Sequence, residues 1–370
     1  MVDLVSQYEK IKPEMDAAIQ EVIQSARFIN GPSVKEFQSD LEKYLEVKYV
    51  IPCANGTDAL QIAMMALGLK RGDEVITANF TFAATVETIA FLGLVPVLVD
   101  VCADTFNIDI KEIEKAITPK TKAIVPVHLF GQCADMEPIL ALAKNHQLFV
   151  IEDTAQAIGA NYTFADGTTK KAGTIGTIGT TSFFPSKNLG AYGDAGALYT
   201  NDEALAVKCR MIANHGQSKQ YHYEVLGVNS RLDSIQAAIL KVKLKYLDEY
   251  AVARNKAATY YDKAFSGNPK IAIPVRGKNS THVFHQYTLK LNGVDRDKLK
   301  EHLASKAIPS MIYYPVALHS QKAYRHSVNE GKKYPVTDQL CASVISLPMH
   351  TELDEQTLKY ITDSVLEFAK

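Results

Sequence analysis

The sequence predicts an α/β fold: a large domain on a mostly parallel sheet flanked by helices, then a smaller C-terminal α+β domain. Three observations predict it. Short apolar runs alternate with helical segments through most of the chain's first two thirds. That rhythm changes after Gly227. The chain has 370 residues, 47% of them hydrophobic, enough for two cores.

Each element follows in order. Tyr49-Val-Ile-Pro-Cys53 reads as a strand, and 57–69 as the helix after it. Strand 74–77 precedes helix 82–92, strand 95–100 precedes helix 110–116, and strand 123–127 precedes helix 136–145. Residues 148–153 form a further strand. A parallel sheet of this kind binds ligands beyond the carboxyl ends of its strands. Between 161 and 181, Gly, Thr and Lys predict exposed loops and short strands. Apolar residues at helical spacing over 232–264 predict one long helix, with a break allowed. A strand near 283–291, a helix near 295–305 and a closing helix over 355–369 complete the small unit. The boundary is drawn at residue 250, giving a large α/β domain at 1–250 and a small C-terminal α+β domain at 251–370.

Composition narrows the function. Forty basic residues balance 41 acidic ones, for a formal charge of −1. Nothing in that balance points to nucleic acid or an anionic membrane as partner. The five cysteines (53, 102, 133, 209 and 341) are widely spaced and form no C-x-x-C. They read as free thiols in a reducing cytoplasm, without disulfide framework or metal site. The N-terminus carries no signal-peptide pattern, and no apolar run is long enough to span a bilayer.

Four short segments carry chemistry. In Ser182-Phe-Phe-Pro-Ser-Lys187, a lysine follows a strand-like run and precedes glycines 190, 193 and 196. A nucleophilic lysine must lose water to be neutral, and glycines admit a flat ligand. The alternative is a solvated loop lysine. In Ile151-Glu-Asp-Thr-Ala-Gln156, Asp153 ends an apolar strand; it serves either a cofactor nitrogen or a helix cap. Ala54-Asn-Gly-Thr-Asp-Ala59 places a Gly-Thr where a helix N-terminus receives phosphate, though the same residues make simple caps. Phe82, in Phe80-Thr-Phe82, stacks on a ring or packs in the core, the commoner role.

Phosphate turn, aromatic, strand-end aspartate and lysine follow one another in the order of a known family. Over nearly its whole length the chain resembles the DegT-type nucleotide-sugar aminotransferases of PLP fold type I. The resemblance implies pyridoxal 5'-phosphate (PLP) as cofactor, held covalently by Lys187. It implies Asp153 and Gln156 at the ring nitrogen and hydroxyl, Gly56, Thr57 and Ser182 at the phosphate, and Phe82 on the ring. Asn229, in Val-Asn-Ser-Arg-Leu-Asp233, resembles an asparagine that reaches the phosphate of a neighbouring subunit, which implies a homodimer with shared sites.

Retention of Lys187 points to transamination, with L-glutamate as donor, over the dehydration catalysed by relatives that carry histidine there. Gly193-Asp-Ala-Gly196 resembles the members that aminate a 3-keto sugar. Cys53-Ala-Asn-Gly-Thr-Asp-Ala-Leu60, Gly131-Gln-Cys-Ala-Asp135 and Leu347-Pro-Met-His350 resemble enzymes acting on UDP-2-acetamido-2-deoxy-3-oxo-glucuronate for bacterial surface polysaccharide. Arg231 is then a fork for the sugar carboxylate. Tyr313-Tyr-Pro315 stands where the family usually has His-Tyr-Pro, and His319 resembles the dTDP-3-keto-6-deoxyhexose branch. Tyr313, His319 and His215 are candidates near sugar or nucleotide. Rival readings are a PLP sugar dehydratase and a PLP-binding regulator without catalysis. A dehydrogenase lacks support, because Gly190–Gly196 does not sit between strand and helix as G-x-G-x-x-G. Lys241, Lys243 and Lys245 are read as one solvated helix face.

Overall fold

A computed structural model describes residues 1–369. The large unit opens with two helices, α1 (Leu4–Ser25) and α2 (Pro32–Leu45). There follow β1 (Tyr49–Cys53), α3 (Gly56–Ala66), β2 (Glu74–Ala78), α4 (Ala83–Phe91), β3 (Val95–Val99), α5 (Ile110–Ala116), β4 (Thr121–Val125), α6 (Met136–His146) and β5 (Phe149–Asp153). A hairpin of β6 (Asn161–Thr163) and β7 (Thr169–Lys171) leads to β8 (Ile178–Ser182), β9 (Gly196–Thr200) and α7 (Glu203–Ala213). A second small hairpin, β10 (Gln217–Lys219) and β11 (His222–Tyr223), precedes α8 (Ser234–Leu244) and α9 (Leu247–Phe265). The C-terminal part holds β12 (Ile271–Ala272), β13 (Tyr287–Leu291), α10 (Arg296–Ser305), α11 (Pro335–Ser343), β14 (Val344–Leu347) and α12 (Glu355–Phe368).

The main sheet has the order β1-β9-β8-β5-β4-β2-β3. β9 is antiparallel to both its neighbours, and the other pairings are parallel. Six strands therefore end on one edge. Alternate residues point to opposite faces: Ile76, Ile124 and Val150 join one core with α5 and α6, while Val75, Ala123, Val125 and Ile151 join another with α3 and α7. Both faces are covered, as a parallel sheet requires. The antiparallel β12-β13-β14 sheet packs with α9, α10 and α12 around Tyr261, Phe284, Tyr287 and Leu358.

The alternating elements lie where the sequence puts them, within a few residues at each end. Helix 232–264 is broken: α8 stops at Leu244, α9 starts at Leu247, and residue 250 lies inside α9. The strand expected from 283 begins only at Tyr287, because Phe284 has φ 45° and leaves the extended region. Within 161–181 the reading of loops and short strands holds for β6 and β7, but β8 is a full sheet strand, buried except at its last residue. α1 and α2 were not anticipated. Their signals are local: the Asp3 side chain accepts from the Ser6 N–H, and Pro32 stands in the first turn after Gly31. Among the described residues, no helix is long and apolar enough to cross a membrane. All five cysteines are free thiols, only Cys102 part-exposed.

Candidate active site

The shared carboxyl edge collects the motifs. β1 ends at Cys53, and Asn55 caps α3 by accepting from the Asp58 N–H at 2.8 Å. The N–H groups of the helix's first residues, Gly56 and Thr57, have no partner within the helix and face the edge with its positive end. Two close approaches make this turn. A Cβ on Gly56 would lie 2.6 Å from the Ser182 Cβ, and one on Gly196 only 2.4 Å from the Asn55 carbonyl carbon. Gly196 starts β9 opposite both Cys53 and Ser182. Missing side chains therefore bring the ends of β1, β8 and β9 into one cradle, of a kind that holds phosphate.

Asp153 is the last residue of β5 and is buried. Its Oδ2 accepts from Thr85 Oγ1 at 2.8 Å, and its Oδ1 accepts from the Ala155 N–H at 3.1 Å. Behind it, Glu152 points to the opposite face and is wholly buried. It accepts from His128 Nε2 at 2.9 Å and from the N–H groups of Gly173 at 2.8 Å, Ile175 at 2.7 Å and Gly176 at 2.5 Å. Gln156 Oε1 accepts from the Phe130 N–H at 2.8 Å, and its Nε2 donates to the Tyr314 hydroxyl at 3.1 Å. Burial pushes the Tyr314 phenol well up, so it stays protonated.

Lys187 lies in the turn between β8 and β9. Burial lowers its amine from 10.5 to about 8, against the opposing pull of Asp153. A desolvated lysine beside an anchored carboxylate is what carbonyl capture and proton transfer require. Lys187 is part-buried, not the solvated lysine that the loop alternative describes.

Phe82 is 58% exposed as the N-cap of α4, and its ring centroid lies 6.4 Å from that of Tyr314. The core-packing role considered for it is corrected: Phe80 is the buried one, because it packs against Phe106, Phe130 and Tyr314. Ser182 Oγ accepts from the Phe184 N–H at 3.3 Å.

The remaining candidates divide. Asn229 is exposed, while its neighbour Ser230 is buried, with its Oγ accepting from the Ala54 N–H at 3.0 Å. His215, exposed with φ 61°, donates its N–H to the Val228 carbonyl, so it and Asn229 lie on one outward strip. Arg231 is part-exposed. Tyr313 is half-buried against Tyr314, with centroids 5.9 Å apart. His319 is tied to Asn79, just past β2, by two hydrogen bonds of 2.8 and 2.9 Å. The lysine stretch is corrected. Lys241 and Lys245 are solvated and paired with Glu36 and Glu14, but Lys243 is 1% exposed and stands over the Tyr192 ring. Thr85 and Tyr314, which hydrogen-bond Asp153 and Gln156, were missed by sequence reasoning.

Residues 9–366 match the DegT/DnrJ/EryC1/StrS aminotransferase family. The chain belongs to this family, and it is a PLP-dependent sugar aminotransferase by class. It is 46% identical to a "pleiotropic regulatory protein" of Geobacillus stearothermophilus, covering 100% of this chain and 98% of that one. It is 45% identical to the UDP-2-acetamido-2-deoxy-3-oxo-D-glucuronate aminotransferase of Pseudomonas aeruginosa, over 97% of both. It is 36% identical to the dTDP-3-amino-3,4,6-trideoxy-alpha-D-glucose transaminase of Streptomyces venezuelae, over 100% and 96%. Among solved structures, an aminotransferase of this family from Brucella abortus superposes with TM-score 0.94 at 40% identity, covering 100% and 98%. A Bacillus subtilis NtdA structure with bound PMP gives 0.89 at 33%, covering 97% and 82%.

Proposed function

We propose that this chain transfers the amino group of L-glutamate to a 3-keto sugar carried by a nucleotide, with Lys187 as the lysine that bonds PLP. PLP, when bound, supplies an electron sink. The chain's residues do the rest. Gly56, Thr57 and Ser182 would hold its phosphate, with Asn229 of a second copy. Asp153 would hold the ring nitrogen, Gln156 the ring hydroxyl, and Phe82 the ring face. Lys187 would take and return a proton at the donor's α-carbon through its Nζ. Arg231, Tyr313, His319 and His215 contact sugar or nucleotide.

The observation that carries this reading is geometric: Lys187, in the turn after β8, lies at the sheet edge where Thr85 Oγ1 and the Ala155 N–H anchor the Asp153 carboxylate. The Pseudomonas relative favours UDP-2-acetamido-2-deoxy-3-oxo-glucuronate and a role in surface polysaccharide such as lipopolysaccharide; the Streptomyces relative keeps a dTDP-linked sugar as the alternative. A homodimer in the cytoplasm is part of the proposal. In one chain Tyr221, Tyr223 and Leu226 stand exposed beside the His215–Asn229 strip, and a second copy would cover them. The Geobacillus relative's name supports a second reading, a PLP-binding regulator.

The test is spectroscopic. On addition of L-glutamate, a cofactor band near ~420 nm is expected to move toward ~330 nm, and the UDP-linked sugar should restore it faster than the dTDP-linked one. A band unmoved by glutamate favours the regulator or another donor. Lys187→Ala is expected to lose the band shift and at least ~10²-fold in rate; wild-type turnover in that variant removes the assignment.

A further inference from the structure

Asn79, the residue after β2, is wholly buried at the carboxyl edge of the sheet. Its N–H donates to the Val99 carbonyl at 2.9 Å, and its carbonyl accepts from the Leu318 N–H at 3.3 Å. Its side chain holds His319 by two bonds. Oδ1 accepts from the His319 backbone N–H at 2.9 Å, and Nδ2 donates to His319 Nδ1 at 2.8 Å. The first bond fixes the second. A backbone N–H only donates, so the amide oxygen must face it, and the NH2 is then the end that meets the ring. Nδ1 therefore carries the lone pair, and the ring proton sits on Nε2. The Tyr334 ring lies against the imidazole, with centroids 4.7 Å apart.

His319 Nε2 stands 3.2 Å from Ser320 Oγ. With the proton on Nε2, Oγ accepts this bond, and the hydroxyl proton is left to point away from the ring. Ser320 is exposed, and its Oγ has no other hydrogen-bond partner among the described residues. Asn79, His319 and Ser320 thus form a chain of bonds with one polarity, ending in an O–H donor. Each bond in such a chain polarises the next. The sheet sets where this donor stands. Asn79 is separated from Phe82 by at most ~11 Å of chain. Phe82 opens α4, and Thr85 in the first turn of that helix anchors Asp153.

We infer that Ser320 binds an anionic oxygen of the nucleotide sugar, phosphate or carboxylate, by donating its hydroxyl proton, and that Asn79 is the positioning residue that sets the polarity of this donor through His319. A chain of fixed polarity selects an acceptor with no proton of its own. Sugar hydroxyls and water can turn either way, whereas ionised phosphate and carboxylate oxygens only accept. The inference rests on the proposal that this edge receives a nucleotide-linked sugar.

Two measurements on the full-length, PLP-loaded protein test it. The first reads the tautomer. Two-bond proton–nitrogen NMR correlation of the histidine rings, with His319 assigned through His319→Gln, is expected to show the proton on Nε2. A proton on Nδ1 overturns the inference. The second is calorimetric titration of UDP, UDP-glucose and UDP-glucuronate, none of which carries a keto group to react. A hydrogen bond to a charged group makes a difference of about tenfold or more. If the anion is the diphosphate, Ser320→Ala weakens all three by about tenfold; if it is the sugar carboxylate, UDP-glucuronate alone is weakened. Uridine is the control, because a contact to the base would be lost there too. No loss on any of the three, or an equal loss on uridine, overturns the inference. Asn79→Ala is expected to cost about as much as Ser320→Ala, and nothing further when combined with it. Full additivity would overturn the positioning role of Asn79. Ser320 is exposed, so its variant decides the matter even where Asn79→Ala folds poorly. Failure of the wild-type cofactor band to move with glutamate would instead overturn the reading of the reaction and leave the UDP titrations standing.

Discussion

Glu152→Gln probes how the sheet edge is held rigid. Glu152 is wholly buried, with each carboxylate oxygen taking two donors: His128 Nε2 and the Gly173 N–H on one, the Ile175 and Gly176 N–H groups on the other. An amide keeps one acceptor oxygen and turns an NH2 toward the other pair. His128 cannot adapt by moving its proton to Nδ1 without cost, because Nδ1 accepts from the Ala134 N–H at 3.1 Å. Two buried donors are left facing a donor, at about 1–3 kcal/mol each, so a loss of about 2–6 kcal/mol is expected. That is a large part of the ~5–15 kcal/mol that holds a typical domain folded. Glu152 also fixes the strand end that aims Asp153, so PLP should bind more weakly. Urea unfolding of the PLP-free protein and a PLP titration at low denaturant read the two effects separately. A stability loss below ~0.5 kcal/mol, within the range of an ordinary surface change, would refute the hydrogen-bond account. Full loss of stability with unchanged PLP affinity would refute the link to Asp153.

Phe82→Ala removes an exposed ring with few protein contacts, so stability should change by less than ~0.5 kcal/mol, while PLP retention on dialysis falls several-fold; unchanged retention would exclude ring stacking. Gly56→Ala places a Cβ 2.6 Å from the Ser182 Cβ and 3.1 Å from its Cα. Overpacking should cost about 1–3 kcal/mol by thermal unfolding, with weaker PLP binding; a variant as stable as wild type would mean the cradle is loose. Lys243 has its amine lowered from 10.5 to about 8 by burial. Between those values the unfolded chain binds more protons than the folded one, so wild-type stability rises with pH through that window. Lys243→Met is expected to stabilise by up to ~3 kcal/mol below the folded value, the gain fading as pH approaches the unfolded one. A flat difference across pH in urea unfolding would contradict a charge-burial origin.

Much of the site was legible because its chemistry is written in contiguous runs. A strand that must end at the ligand edge puts Asp153 there, and the turn after β8 puts Lys187 beside it, so order along the chain already implied proximity. Thr85 and Tyr314 were not legible. Thr85 reaches Asp153 across 68 residues and Tyr314 reaches Gln156 across 158, and neither residue type advertises a buried hydrogen bond. Tyr314 had one usable signal, its place beside Tyr313.

Lys243 is different, because elementary helix geometry bears on it. Residues two apart on a helix do not share a face, whereas residues four apart do. Lys241 and Lys245 therefore belong together, and they reach Glu36 on α2 and Glu14 on α1. Lys243 must point elsewhere, and α8 is packed against both α1 and α2, with Ile239 and Val242 in the α1 contact and Leu240 and Leu244 in the α2 contact. The side of α8 left for Lys243 faces Tyr192 and the Arg254 charge. Three lysines at alternate positions thus cannot be one solvated face on a helix, and the middle one of such a triplet is the residue to suspect of burial.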